Sequence, residues 1–240
     1  MAFAPVFHSE WIKIRTLRSQ IASLATILVV TALFSALASS DTGGDDFDPL
    51  FSVFFGVSFG QIAAIAFGTA AVSAEFQGGA LRLSLAAVPR RGRWFAAKAT
   101  AIALPVLAVG LVTGVVTLLV GRAVLGDEAD SLGWAEQVRG VVGCAVYLTL
   151  MALFAAGLTA LLRSGAATLG ILVPFLLIVS FVIGDMSNNV ADLLPDRAGQ
   201  VALHATWDGA MGPWTGLAVT ALWTAAALAA GAWSVRRRDA

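Results

Sequence analysis

The sequence predicts an all-α integral membrane protein. It has six transmembrane helices, an N-terminal amphipathic helix in the membrane interface, and one short cytoplasmic helix between spans two and three. Three observations predict this. First, 58% of the 240 residues are apolar and 12% are charged, against about 25% charged in soluble domains. Second, six apolar runs cover about residues 21–39, 50–73, 99–121, 141–162, 166–184 and 214–234. Each is close to the roughly 20 residues a helix needs to cross the hydrocarbon core. Third, the charges are sorted. With the intervening segments taken alternately as inside and outside, 12 of the 15 basic residues fall inside and 12 of the 15 acids outside. The zero net charge hides a surplus of about +9 on one side and about −9 on the other, and basic segments stay in the cytoplasm. Both termini are therefore expected to be cytoplasmic, in a multi-pass protein of the plasma membrane.

One bundle uses all 240 residues, so no second domain is expected. The first 20 residues are polar and amphipathic, and the first apolar run is too long and lacks a cleavage site, so no removable leader is expected. The single cysteine, Cys144, rules out an internal disulfide and reads as a packing residue. Arg outnumbers Lys 13 to 2, and Ala and Gly are abundant. That composition fits a GC-rich bacterial genome.

Residues 3–19 come first. Phe7, Trp11, Ile14 and Arg18 recur at helical spacing, with Lys13 and Arg15 on the opposite side. Such a segment lies in the cytoplasmic interface with its apolar face in lipid. The loop after span one carries Asp41, Asp45, Asp46 and Asp48 without the spacing or closing Glu of a calcium loop. It reads as acid kept out of the cytoplasm. Span two is rich in phenylalanine, and Phe51, Phe55 and Phe59 stack on one face. Gly56 and Gly60 form a small-xxx-small pair, as do Gly110 and Gly114 in span three, and such pairs let helices approach closely.

The longest cytoplasmic loop, residues 74–93, follows span two. Gly78 and Gly79 break the helix, Leu81 to Val88 can form a short helix, and Pro89 ends it. Arg90, Arg91 and Arg93 then meet lipid headgroups. Leu81, Leu83, Leu85 and Val88 call for lipid or a protein partner. Glu75 and Arg82 are seven apart, so they can bracket this element. The last outside segment, 185–213, is long and partly apolar. Ser187 or Asn188 can cap a short helix through Leu194, as part of a lid near the outer surface. Arg236, Arg237 and Arg238 anchor the end of span six.

The interior is as informative for what it lacks. No Asp, Glu, Lys, Arg or His falls within any of the six runs. This counts against ion-coupled transport and voltage sensing, which use intramembrane ionisable groups. The most polar interior side chains include Ser58 and Gln61, with Thr69, Thr113, Thr117, Ser180 and Thr220. No G-x-x-x-x-G-K-[ST] is present, so the chain does not hydrolyse a nucleotide by itself, and no His/Cys/Glu cluster has metal-ligand spacing. Residues 56–60 match G-x-S-x-G, but that motif needs a strand-to-helix turn and here lies within an apolar helix. The two histidines, His8 and His204, are not expected to meet Ser58. An intramembrane hydrolase is disfavoured. If the protein does work, the energy enters from outside the chain, and the loop after span two is the place for it.

Three features resemble the bacterial type-2 ATP-binding-cassette (ABC) exporter permeases. The opening Ser9-Glu10-Trp11-Ile12-Lys13-Ile14-Arg15-Thr16-Leu17-Arg18 is similar to that family's amphipathic leading helix. Glu75-Phe76-Gln77-Gly78-Gly79-Ala80-Leu81-Arg82, with Ala87-Val88-Pro89-Arg90-Arg91, is similar to its E-(aromatic)-x-x-G-x-(aliphatic)-R…P-x-R stretch. Six spans with a long external segment before the last complete the resemblance, which covers essentially the whole chain. Gly79-Ala80 departs from the Gly-Thr expected at that place.

The resemblance implies two permease chains, identical or sister, joined to two copies of a cytosolic ATPase that carries ATP and Mg. The helix after Gly79 would be the coupling helix, seated in a groove of the ATPase. Glu75, Phe76, Gly78, Gly79, Leu81, Arg82, Leu85, Pro89, Arg90 and Arg91 would form the coupling element. The leading helix, with Trp11, Lys13, Arg15 and Arg18, would brace the same ATPase surface, and membrane lipid is a further expected partner. A cavity at the dimer interface would be lined by spans two and five, with Phe51, Phe55, Ser58, Phe59 and Gln61 as pathway residues. No cofactor is expected in this chain, and nucleic acid is not among the expected partners. The expected function is export of an apolar or amphipathic compound. The alternative is a non-transporting membrane scaffold or sensor subunit.

Overall fold

The computed structural model describes residues 3–40, 47–88, 90–176, 192–207 and 211–237. It is an all-α protein with no strand among the described residues, and five of its helices are long and apolar enough to cross a membrane. In chain order the helices are α1 (Phe3–Thr16), α2 (Arg18–Ser39), α3 (Pro49–Phe54), α4 (Val57–Ser73), α5 (Ala80–Ala87), α6 (Arg91–Leu125), α7 (Trp134–Leu162), α8 (Gly165–Pro174), α9 (Pro195–Gln200) and α10 (Pro213–Arg237). The expected fifth run, 166–184, is described only as far as residue 176, where α8 forms a shorter apolar helix.

Helix α7 is the hub. It packs on α4, α6 and α10 and touches α8, while α2 lies across α4 and α6 and α1 lies on α6. Burial follows this arrangement. In the most apolar window, 61% of residues are buried in α7 and 67% in the stretch Pro49–Phe76, but 17% in α2. The outer face of the second half of α2 is apolar, with Val29, Leu33 and Leu37 more than half exposed. Lipid is as apolar as leucine, so close packing must hold such a bundle together. Small residues supply it. A side chain at Gly56 would collide with the Thr31 carbonyl of α2, and Gly110 and Gly114 lie against Ala145 and Val141 of α7. Gly157 of α7 meets Ala227 of α10 at a further seam that the spacing pairs do not reveal.

Several sequence expectations need correction. The leading helix ends at Thr16, because Leu17 is extended (φ −84°, ψ 114°), and Arg18 is the first residue of α2. The inward face of α1 is Val6, Glu10 and Ile14, one residue over from the Phe7–Trp11–Ile14–Arg18 stripe. The reason is that Glu10 finds a buried cation. The apolar helix around Ser58 is not continuous, since α3 and α4 are separated by a turn at Phe55–Gly56. There the Gly56 N–H donates to Ser35 Oγ of α2 at 3.0 Å, and Phe55, Ser58 and Phe59 bond back three residues instead of four. A hydroxyl on a neighbouring helix has thus replaced a rung of the α-helical ladder. The turn is helical on both sides, with no strand before Ser58, so it is not a nucleophile elbow.

Residues 91–93, expected to end the cytoplasmic loop, are instead helical, and with residues 94–98 they form the first two turns of α6. At 35 residues and 1.5 Å per residue, α6 is about 52 Å long, well beyond the roughly 30 Å hydrocarbon core. Lys13, Arg15, Arg91, Arg236 and Arg237 gather at one end of the bundle, the basic end. Asp48, Glu128, Asp130 and Asp192 gather at the other, the acidic end.

Candidate functional site

Each end carries a polar construction inside the protein. At the basic end it is a knot of four charges. Lys98 of α6 is 2% exposed and donates to Glu10 of α1 at 2.5 Å and to Glu75 at 2.7 Å. Lys13 donates to the same two carboxylates, at 2.9 Å each, and to Ser84 Oγ of α5 at 3.3 Å. Ser84 donates to Glu75 at 3.1 Å, and the Trp94 indole to Glu10 at 3.2 Å. Two cations and two anions balance, and every one has several partners, which is the condition for burying charge at all. Burial alone would lower the Lys13 pKa. The hydrogen bonds it donates to Glu10 and Glu75 outweigh that and hold it above its ordinary value. The knot ties α1, the 3₁₀ turn at Ala74–Phe76, α5 and α6 into one unit. It lies just outside the apolar runs, whose interiors carry no ionisable side chain. The lysine lies one residue outside the apolar run, and its partners are 23 and 88 residues away.

The loop between α4 and α6, expected to be the coupling element, is built around this knot. Gly78 and Gly79 both take left-handed conformations (φ 59° and 76°), which turn the chain after the 3₁₀ segment and start α5. Glu75 is buried at 3% exposure and accepts from Ser84 of α5, so it anchors the loop from inside. The Phe76 ring carries the Arg163 guanidinium 5.8 Å from its centroid. Leu81 is 5% exposed, and Leu85 and Val88 pack partly against the core, so most of the loop's apolar side chains are covered by the chain itself. Leu83 is the exception, at 74% exposure, beside exposed Arg82. Arg90 is exposed before α6, and Arg91 donates to the Val235 and Arg236 carbonyls at 3.1 and 3.3 Å, closing the end of α10. Pro89 lies outside the described residues. Of the leading-helix set, Lys13 is in the knot, Trp11 stacks on Phe7 at 6.0 Å, and Arg15 is exposed.

At the acidic end, Phe51, Phe55, Ser58, Phe59 and Gln61 come together on one cavity of about 530 Å³, between α3–α4 and the stretch 192–204. Three phenylalanines form one wall, each in edge-to-face contact with the next at 5.8 Å. Opposite them runs a closed ring of neutral hydrogen bonds. Ser58 Oγ donates to Gln200 Oε1 at 3.0 Å, Gln200 Nε2 donates to the Tyr147 hydroxyl at 3.2 Å, and that hydroxyl donates to Gln61 Oε1. Gln61 Nε2 then donates to the Ser58 carbonyl at 3.0 Å. Asp192, Asp196, Arg197 and His204 also line it, with Leu176 and Val201.

Asp48 fixes one rim. Its carboxylate caps α3 through the amides of Leu50 and Phe51, accepts from the Ala205 amide at 3.0 Å, and meets His204 Nδ1 at 3.1 Å. Burial alone would raise its pKa. The bonds from His204 and the backbone amides outweigh this and hold it below the ordinary carboxylate value. The His204 ring stacks on Phe51 at 4.2 Å, and His204 lines the same cavity as Ser58. The Ser58 hydroxyl is nevertheless engaged by Gln200, and the His204 Nδ1 by Asp48.

Sequence reasoning passed over Tyr147, Gln200, Asp48 and the Lys98–Glu10 pair. Two of them had a legible signal. Tyr147 is the chain's one tyrosine and sits in an apolar run, where its hydroxyl must find a partner. Asp48-Pro49 ahead of an apolar run has the form of a helix cap followed by proline at the first helical position. Asp41, Asp45, Asp46, Ser180, Ser187, Asn188 and Arg238 lie outside the described residues. Short helix α9 begins at Pro195, after an extended Leu194. Among the described residues no cluster of His, Cys, Asp and Glu could hold a metal ion. No protein-family model matches the chain, and none of the curated proteins matches it.

Proposed function

We infer that this chain is the transmembrane permease subunit of an ABC exporter, with six crossings and both termini in the bacterial cytoplasm, moving an apolar or amphipathic compound outward. A separate cytosolic ATPase, present twice per pair of permease chains, carries ATP and Mg. The observation that carries the reading is the build of α5. It is an eight-residue helix set off by two left-handed glycines, with Leu83 and Arg82 exposed, and it is lashed through Ser84 and Glu75 to Lys98 of the long helix α6. A push on α5 reaches α6 and α1 through charges that cannot separate cheaply. The basic end faces the cytoplasm by the positive-inside rule, which puts α5 within reach of a soluble partner and the aromatic cavity on the outer side.

Affinity purification of tagged chain from its native membrane tests this. The expected result is a nucleotide-binding ATPase recovered in equal amount, and lost with Leu83→Asp while the variant permease is still recovered folded. Recovery of the chain alone, in detergent that keeps other membrane complexes intact, would instead favour the scaffold or sensor reading.

A further inference from the structure

The cavity at the acidic end has an aromatic wall and an uneven charge. Phe51, Phe55 and Phe59 are half-buried on it, and aromatic faces attract cations. Four groups that can carry charge line it. His204 is paired with Asp48 outside the lining. Asp196 and Arg197 offset one another, and both are already engaged within the chain. Asp192 remains. It is half-buried, lines the cavity, and has no ion pair among the described residues. An anionic ligand would approach this carboxylate with no uncommitted cation to balance it. A neutral ligand would cover the carboxylate and leave it unpaired, at a cost in desolvation. A ligand with an apolar body and a positive centre satisfies both the ring faces and the carboxylate.

We propose that this cavity binds an amphipathic organic cation, its apolar body on the Phe51–Phe55–Phe59 wall and its positive centre beside Asp192. The volume of about 530 Å³ suits a drug-sized molecule. The neutral ring of Ser58, Gln200, Tyr147 and Gln61 shapes the floor without adding charge. The inference rests on the exporter reading only in calling this ligand a substrate.

The test is binding to the full chain in lipid nanodiscs, with empty discs subtracted. The probes are tetraphenylphosphonium and tetraphenylborate, a cation and an anion of matched size and shape. Phosphonium binding is expected, with borate at least about tenfold weaker. Asp192→Asn is expected to weaken phosphonium roughly three- to tenfold, Asp192→Glu to restore it, and Phe55→Leu, which keeps apolar volume but removes the ring, to weaken it by a similar factor. Equal or tighter borate binding, no phosphonium binding above empty discs, or an Asp192→Asn variant that binds like wild type would each overturn the proposal. Binding needs no nucleotide and no partner. A chain that recovers its ATPase but does not prefer the cation defeats the substrate class alone. One that prefers the cation but recovers no ATPase defeats the exporter reading and leaves the site.

Discussion

The two ends of the bundle solve the same problem with opposite means. Each must hold an irregular stretch of chain against spanning helices. The basic end does it with four charges in a closed knot, Glu10, Lys13, Glu75 and Lys98, all satisfied within the chain. The acidic end does it with a ring of neutral groups, Ser58, Gln61, Tyr147 and Gln200, beside an open cavity and one capping carboxylate, Asp48. Charges pair strongly but tolerate no missing member. Amides and hydroxyls pair weakly and can exchange partners. A knot suits a lever that must not slip, and a neutral ring suits a wall that must accommodate a ligand.

The sharpest way to break this contrast is to take one member from the knot. Lys98→Met leaves two carboxylates buried beside a single half-exposed lysine. It is expected to cost about 3–5 kcal/mol, read as a large drop in the thermal unfolding midpoint in detergent. The triple variant Glu10→Gln, Glu75→Gln, Lys98→Met is expected to recover most of it. A midpoint unchanged in Lys98→Met would mean that the charges are effectively solvated. The matching change in the ring is Tyr147→Phe, which removes one hydroxyl and leaves Gln61 and Gln200 to find each other. Its expected cost is about 1–2 kcal/mol. A loss as large as that of Lys98→Met would erase the distinction between the two ends.

The smallest effect is the pH dependence that Asp48 adds at the acidic end. Asp48 has a folded pKa below its unfolded value of about 3.9. Its contribution is therefore fully present above that value and is lost as pH falls through the lower, folded one. Midpoints measured from pH 6 down to pH 3 should fall more steeply for wild type than for Asp48→Ala, which lacks the capping carboxylate at every pH and is less stable throughout by about 1 kcal/mol. Parallel curves would remove Asp48 as the rim's fixing group.

What could be read in the sequence was whatever repeats locally. Apolar runs, sorted charge and the Gly78-Gly79 break give the spanning helices and α5, and the Gly56–Gly60 and Gly110–Gly114 pairs do mark close helix approaches. The phenylalanine spacing in span two leads to residues that share one cavity. What escaped depends on partners far along the chain. Nothing near Lys98 announces that Glu10, 88 residues earlier, will meet it. Ser35 breaks the helix at Gly56 from another element altogether. Leu81 and Leu85 looked unsatisfied in the loop because their cover is tertiary.

Whether the basic end is the one driven by an ATPase can be measured at a single atom. Cys144 is the chain's one cysteine and is fully buried, so Leu83→Cys introduces one reactive thiol at the exposed edge of α5. Thiol cross-linking in native membranes should join Leu83→Cys to a nucleotide-binding ATPase, while Asp192→Cys at the opposite end should give no such product. No ATPase adduct at position 83, or an equal one at position 192, would contradict the assignment of the two ends.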